Sequence, residues 1–251
     1  MSEGRLRIDQ LLVEWGLAES RERAQALVIA GYVLVDGQKA RKPGQAAKRD
    51  SLVELIERLP FVGRGGLKLK GALDGFGIDV AGKVCVDIGS STGGFTDCLL
   101  QRGAAKVYSV DVGQGQLAWK LRCDPRVVVM ERTNARELTP AKFPPPFAPA
   151  DLMVIDCSFI SLRKILPPAV ALLRPSAKIV ALLKPQFEAG KAEADRGAGV
   201  IRDPAIHQRV LRELNEFVAA RAGLQWLGVT ESPVLGPAGN KEFLVLIEYS
   251  G

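Results

Sequence analysis

The chain has 251 residues, a net charge of +6, and 47% hydrophobic against 25% charged residues. That balance fits one large or two unequal globular domains and excludes a disordered chain. No apolar run reaches the ~18 residues of a membrane-spanning helix, and MSEGRLRIDQ lacks the apolar region of a secretory signal, so a cytoplasmic protein without stable membrane insertion is expected. The four cysteines (Cys85, Cys98, Cys123, Cys157) form no CxxC pair and read as reduced thiols. The single histidine, His207, excludes a His-rich metal site and leaves acid–base work to Lys, Asp and Glu; no metal is expected.

In chain order, Arg7–Trp15 places Ile8, Leu11, Leu12 and Trp15 on one face and predicts a short helix with all four in the core. A second helix follows Ser20 and stops at Gly31. Residues 32–35 (YVLV) run into Asp36-Gly37, a hairpin signal, and residues 51–55 (SLVEL) are strand-like. The pattern lapses over 57–63. The expected organisation is an N-terminal unit over 1–58, a linker over 59–63 and a second domain over 64–251. After a helical stretch from Arg64, apolar strands at 84–88, 106–112, 127–130, 151–156 and 176–183 alternate with helices at 94–102, 161–173 and 203–221. Residues 224–231 and 242–249 close the chain as an antiparallel pair. Such alternation implies an α/β domain whose mainly parallel sheet is covered on both faces, with an antiparallel C-terminal strand.

Within the N-terminal unit, Arg5-Leu-Arg7-Ile-Asp9, Gly16, Ser20-Arg21, Ala24 and the run Gly31–Gly37 follow one another in an order that resembles the S4 RNA-binding domain over residues 5–55. The resemblance implies a small α+β fold and an RNA partner. The stretch 37–49 carries five bases and no acid. Arg5, Arg7, Arg21, Arg23, Lys39, Arg41 and Lys42 are the candidate RNA contacts. Trp15 and Tyr32 read as core, so recognition of phosphates and shape is expected in place of base stacking. A merely solvated basic face would have the same composition.

The run VCVDIGSSTGGFTD (84–97) is an apolar strand, a Gly-rich turn and a helix start. Gly89 permits the sharp turn, and Gly93-Gly94 would let a ligand approach the helix N-terminus. Asp111 follows about 20 residues after Gly89, where a carboxylate meets a ribose hydroxyl pair. A dinucleotide fingerprint would read G-x-G-x-x-G, and Asp87 would repel a pyrophosphate; a cofactor with a cationic amino-acid end suits that acid better. The pattern D-x-G-x-x-x-G resembles motif I of Rossmann-like methyltransferases that use S-adenosylmethionine. A Gly-rich βα turn can also be purely structural.

Four ionisable residues stand at element ends: Lys68 in the helix before the first strand, Asp156 closing DLMVID, Lys184 closing KIVALLK, and Glu242 entering the last strand. Ligands of open α/β sheets lie beyond the carboxyl ends of the parallel strands. This K…D…K…E set, with DCSFISL, LLKPQFE and DIGSSTGGFTD, resembles the TlyA family, S4-bearing relatives of the FtsJ/RrmJ-type ribosomal RNA 2′-O-methyltransferases, also described as haemolysins. The resemblance implies Lys68, Asp156, Lys184 and Glu242 as a catalytic tetrad, with Lys70 a rival for the first place. It further implies Asp87, Gly89, Ser90, Gly93 and Asp111 around S-adenosylmethionine, Asn134 near its adenine, and ribosomal RNA, within a subunit, as substrate; cytidine is the implied nucleotide. A ribose hydroxyl must lose its proton as it attacks a methyl group. A lysine serves as that base where burial and a cationic neighbour favour the neutral amine, and Lys184 is the expected base. The neighbouring carboxylates pull the other way.

Other readings remain. An amino-methyltransferase carries D/N-P-P-F/Y after the fourth strand, where this chain has Asp156-Cys157-Ser158-Phe159. A pyrimidine C5-methyltransferase needs a nucleophilic cysteine there, and Cys157 lacks the usual preceding proline. His207 reads as a helix-surface or satisfied side chain. A non-catalytic RNA-binding assembly factor and a membrane-active haemolysin are the alternatives outside enzymes.

Overall fold

The computed structural model describes residues 5–29, 31–55 and 60–251. Its contacts divide the chain into two units, 1–59 and 60–251. Residues 56–59, in the stretch where the sequence pattern lapses, lie outside the described residues. Residues 60–63, expected as linker, belong to the second unit: Phe61 packs with Leu69 and Phe95, and the Val62 amide donates to Asp97.

In the first unit, β1 (Arg5–Arg7) leads directly into α1 (Ile8–Glu14), and α2 (Arg21–Ile29) packs on it. The strands β2 (Val33–Val35), β3 (Gln38–Lys39) and β5 (Val53–Leu55) form one sheet, while β4 (Ala46–Lys48) pairs antiparallel with β1. Asp36 and Gly37 both have positive φ (50° and 76°) at the β2–β3 turn, as a two-residue hairpin of Asp-Gly type demands. The core is Ile8, Leu11, Leu12, Ala24, Val28 and Val33. Trp15 departs from expectation: the helix stops at Glu14 and Gly16 turns the chain at φ 69°, so the indole leaves the core face and is 39% exposed.

The second unit is a seven-stranded sheet. Its elements are α3 (Gly65–Gly75), β6 (Val84–Ile88), α4 (Gly94–Gln101), β7 (Lys106–Val110), α5 (Trp119–Arg122), β8 (Val127–Met130), β9 (Ala150–Ile155), α6 (Leu162–Ala169), β10 (Leu173–Leu183), α7 (Pro185–Glu188), α8 (Lys191–Arg196), α9 (Pro204–Ala219), β11 (Leu224–Glu231) and β12 (Phe243–Tyr249). The strand order is β11-β12-β10-β9-β6-β7-β8, with β10 to β8 parallel and β12 antiparallel to both its neighbours. One face is covered by α3, α4 and Leu117 and Leu121, the other by α6 and α9. Strands buried on both faces explain the near-continuous apolar runs read from sequence. The expected helix over 161–173 ends at Ala169, and Leu173 already belongs to β10. The chain runs β6-β7-β8 in one direction and returns to place β9 on the other side of β6. That reversal opens a crevice at the carboxyl ends of β6 and β9, the position where open α/β sheets bind ligands.

Candidate active site

Gly89 ends β6 at φ 85°, and a Cβ there would lie 2.7 Å from the Asp156 carbonyl oxygen; a side chain would push β6 and β9 apart. Beyond it opens a cleft of about 730 Å³ lined by Gly89, Ser91, Asp111, Asn134, Asp156 and Phe159, among others. Asp111 receives the Ser91 amide on one oxygen (2.8 Å) and the Gly113 amide on the other (2.7 Å), so its carboxylate joins two loops and is fixed at the cleft wall. Each carboxylate oxygen keeps a lone pair for a further donor. Asn134 caps the turn at 135–137 by accepting the Arg136 amide at 3.0 Å, which holds it on the same wall. Val110, Val112 and Ile160 add apolar surface. A cleft of this size, with a fixed carboxylate, one amide and apolar walls, fits a nucleoside-bearing cofactor.

Two residues of the loop do not line the cleft. Asp87 does not face the cleft: it is fully buried, its Oδ2 accepts from Thr96 at 2.6 Å, and Thr96 shares its hydroxyl with Ser109 at 2.7 Å. Burial, aided by the charges of Asp156 and Asp111, pushes the Asp87 carboxyl up to about 7 against the pull of Thr96. Gly93 is glycine for packing reasons: its φ is 96°, and a Cβ would lie 2.2 Å from Leu121 Cδ1 and 2.8 Å from Leu117 Cδ1. Ser90, 6% exposed, does line a cavity, the smaller one described below.

The raised Asp87 value has a testable consequence. Between the usual carboxylate value of 3.8 and about 7, the folded state holds a proton that the unfolded state has lost, so stability falls as pH rises through that window. An Asp87→Asn variant lacks this penalty. Its thermal midpoint should gain on the wild type by several degrees between pH 4 and 7 and keep a constant lead above, by calorimetry; a lead independent of pH contradicts the assignment.

The smaller cavity, about 280 Å³, is lined by Lys68, Gly89, Ser90, Asp156, Ser158 and Lys184, among others. Lys184 Nζ lies 2.6 Å from Asp156 Oδ1 and donates to Ser158 Oγ at 3.0 Å. Lys68 Nζ lies 2.5 Å from Glu242 Oε2, with both side chains buried. The structure therefore gathers the four residues as two ion pairs, each lysine with its own carboxylate. Glu242 stands behind Lys68 and does not line the cavity. Lys70 pairs with Asp74 at 2.7 Å on the exposed side of α3, which leaves Lys68 as the inward lysine.

Sequence reasoning missed the roles of Ser158, the hydroxyl acceptor of Lys184, and Phe159, which is 90% exposed at φ 64° on the wall of the larger cleft. Their signal was present in DCSFISL but carried no spacing rule. Cys157 Sγ donates to the Ile88 carbonyl at 3.6 Å and burial pushes its thiol up to about 12, which disfavours the thiolate a nucleophile needs. His207 is buried, with Nε2 2.9 Å from the Ile201 carbonyl and its ring edge-on to Phe243.

In the first unit, Arg5, Lys39, Arg41 and Lys42 line one groove of about 670 Å³, joined by Lys48. Arg7 and Arg21 instead converge on Asp9, which is fully buried and accepts from both and from Gln25. Hydrogen bonding from Arg7 above all holds the Asp9 carboxyl well below the usual range. Arg23 is exposed but does not line the groove.

A mainly parallel seven-stranded sheet with a crevice at its switch point and an antiparallel strand near one edge is the Rossmann-like methyltransferase fold. Residues 61–249 match the FtsJ-like methyltransferase family and residues 6–53 the S4 domain. The chain belongs to the TlyA family of S4-bearing, FtsJ-like methyltransferases. It is 48% identical to the 16S/23S rRNA (cytidine-2′-O)-methyltransferase TlyA of Mycobacterium tuberculosis over 96% of this chain and 89% of that one. It is 40% identical to Hemolysin A of Brachyspira hyodysenteriae over 95% and 98%. A solved Streptococcus thermophilus structure that carries a haemolysin name aligns at 42% identity with a TM-score of 0.75, covering 99% of this chain and 90% of that one. Among the described residues, no helix is long and apolar enough to cross a membrane.

Proposed function

We propose that the protein methylates the 2′-hydroxyl of a ribose in ribosomal RNA, with cytidine as the nucleotide, using Lys184 as the base. The observation that carries this reading is the placement of Lys184, Asp156 and Lys68 around one small cavity that shares Gly89, Ser91, Asp156 and Ser158 with the larger cleft. Asp111 would hold the ribose of S-adenosylmethionine, Asn134 would stand near the adenine, and Gly89 leaves room for the chain between them; Asp87 and Gly93 support the loop from below. The bound cofactor supplies a methyl group on a positively charged sulfur.

The residues of the chain do the rest. Lys184, having first given one proton of its ammonium to solvent, takes up at Nζ the proton that the ribose hydroxyl gives up. Asp156 and Ser158 fix the direction of that nitrogen, so much of the acceleration comes from positioning. Lys68, held by Glu242, adds positive charge beside the oxygen as it loses its proton. Two carboxylates flanking the amines stop the pocket from becoming a bare pair of like charges.

The S4 unit presents the RNA through phosphate contacts in its basic groove, and such a groove requires a structured RNA surface of the kind a ribosomal subunit offers. A protein working there resides in the cytoplasm. Replacing Lys39, Arg41 and Lys42 together by alanine should weaken RNA binding and flatten the slope of log affinity against log salt by about two to three. An unchanged slope removes these residues from the interface.

The test of the function is mass-spectrometric mapping of ribose methylation in ribosomal RNA from cells with and without the protein. At least one site should be lost with the gene. If no site differs, the reading is wrong; an isotherm with S-adenosylmethionine in that case points to a different acceptor.

A further inference from the structure

The two segments DCSFISL (156–162) and LLKPQFE (182–188) leave neighbouring strands, β9 and β10, and touch at three levels. Nearest the strands, Lys184 meets Asp156 at 2.6 Å and Ser158 at 3.0 Å. One step out, the rings of Phe187 and Phe159 lie 5.0 Å apart, tilted by 46°. Farthest out, Glu188 accepts from Ser161 Oγ at 2.6 Å on one oxygen and from the Leu162 amide at 2.7 Å on the other.

The proposed chemistry makes no use of Glu188, yet its side chain is only 2% exposed. Burying a carboxylate is costly unless its oxygens are paired. Burial pushes this carboxyl up, while Ser161, the Leu162 amide and Arg163 oppose the shift. Past the register pair Ile155–Ala181 the two segments exchange no backbone hydrogen bond among the described residues, so side chains alone join them. The loop so held includes Phe159 at φ 64°, a left-handed conformation that an aromatic residue keeps only when its surroundings impose it. Its near end is tied by the Asp156 amide to the Ile88 carbonyl at 2.9 Å. Its far end is tied by Glu188. Ser161 also accepts the Arg163 amide at 3.2 Å, so Glu188 orients the residue that caps α6.

We propose that Glu188 is a positioning residue: it clamps the loop after β9 to the turn after β10, and so fixes both the Asp156–Lys184 spacing and the place of Phe159 at the cleft. The proposal rests on the reading of Lys184 as the base. Loss of the clamp frees the loop, and misplacement on the scale of an ångström costs up to about a hundredfold in rate.

The test compares Glu188→Ala, Glu188→Gln and Ser161→Ala in the full-length protein, by crystal structure and by methyl transfer to ribosomal RNA. Glu188→Ala should lower kcat by about tenfold to a hundredfold with little change in the KM for S-adenosylmethionine. Its crystal structure should show Lys184 and Asp156 separated beyond about 4 Å, the limit of an ion pair. Glu188→Gln has the same reach, accepts from Leu162 and donates to Ser161, and should restore both. Ser161→Ala removes one contact and should fall between; it decides the matter if Glu188→Ala does not fold. An alanine variant that keeps the Lys184–Asp156 contact and the Phe159 position overturns the inference, whether or not the wild type methylates RNA. A wild type that transfers no methyl group sinks the proposed function, and the crystallographic comparison still judges the clamp.

Discussion

Lys184→Ala is expected to abolish methyl transfer to RNA while calorimetry returns the wild-type affinity for S-adenosylmethionine. The two halves of this result follow from where the side chain lies. Lys184 lines the smaller cavity and is absent from the wall of the larger cleft, which keeps Asp111, Asn134 and Gly89 when the lysine is removed. General-base catalysis contributes about 10²–10⁴-fold, so loss of the base alone takes turnover close to background. The Asp156 side chain is 20% exposed overall, and truncating Lys184 opens the cavity to water beside its Oδ1, so folding should survive. Lys184→Arg sharpens the test: a guanidinium preserves the ion pair but gives up no proton in the working range, and it should be as inactive as alanine. Full activity in Lys184→Ala refutes the assignment, and a loss of cofactor affinity equal to the loss of rate makes the residue part of the binding site.

The architecture was legible because parallel strands covered on both faces must be apolar along their whole length; VCVDI, ADLMVI and KIVALL announce themselves. Asp36-Gly37 was equally plain, since two consecutive positive φ values admit few residue pairs. The edges were harder. Arg5–Arg7 and Ala46–Lys48 pair with each other as short strands whose composition is basic or small, with no period to find. Trp15 fits the helical spacing, but the helix ends one residue before it. At the candidate site, element ends and the family resemblance singled out Lys68, Asp156, Lys184 and Glu242 but not their pairing, which depends on how α3 and the loop before β12 approach the sheet. Asp87 and Gly93 show the same limit from the other side. Both look like ligand residues in a motif, yet one is turned under the loop by Thr96 and the other is crowded by Leu117 and Leu121, side chains from the segment after β7. Glu188 had no sequence signal at all beyond membership in LLKPQFE, because its partners belong to a separate strand end.

The buried pair Lys68–Glu242 should answer to mutation differently in stability and in activity. Glu242→Leu leaves Lys68 buried with its partner removed, and breaking a buried pair from one side costs roughly 3–5 kcal/mol. For a unit of this size that amounts to a thermal midpoint lower by on the order of 10 °C. Lys68→Met strands Glu242 instead, and Glu242 is 1% exposed with Oε1 already lacking a partner among the described residues, so its cost should be similar. The double variant Lys68→Met/Glu242→Leu removes both charges and fills the space with apolar groups, which is often neutral for stability. It should recover most of the lost midpoint. Activity should not recover with it, because Lys68 lines the smaller cavity and its charge is part of the proposed chemistry. Rescue of stability without rescue of turnover therefore separates a working lysine from an ion pair that only joins α3 to the sheet. A double variant that regains both stability and methyl transfer would reduce the pair to a structural link and leave Asp156 and Lys184 to carry the reaction alone.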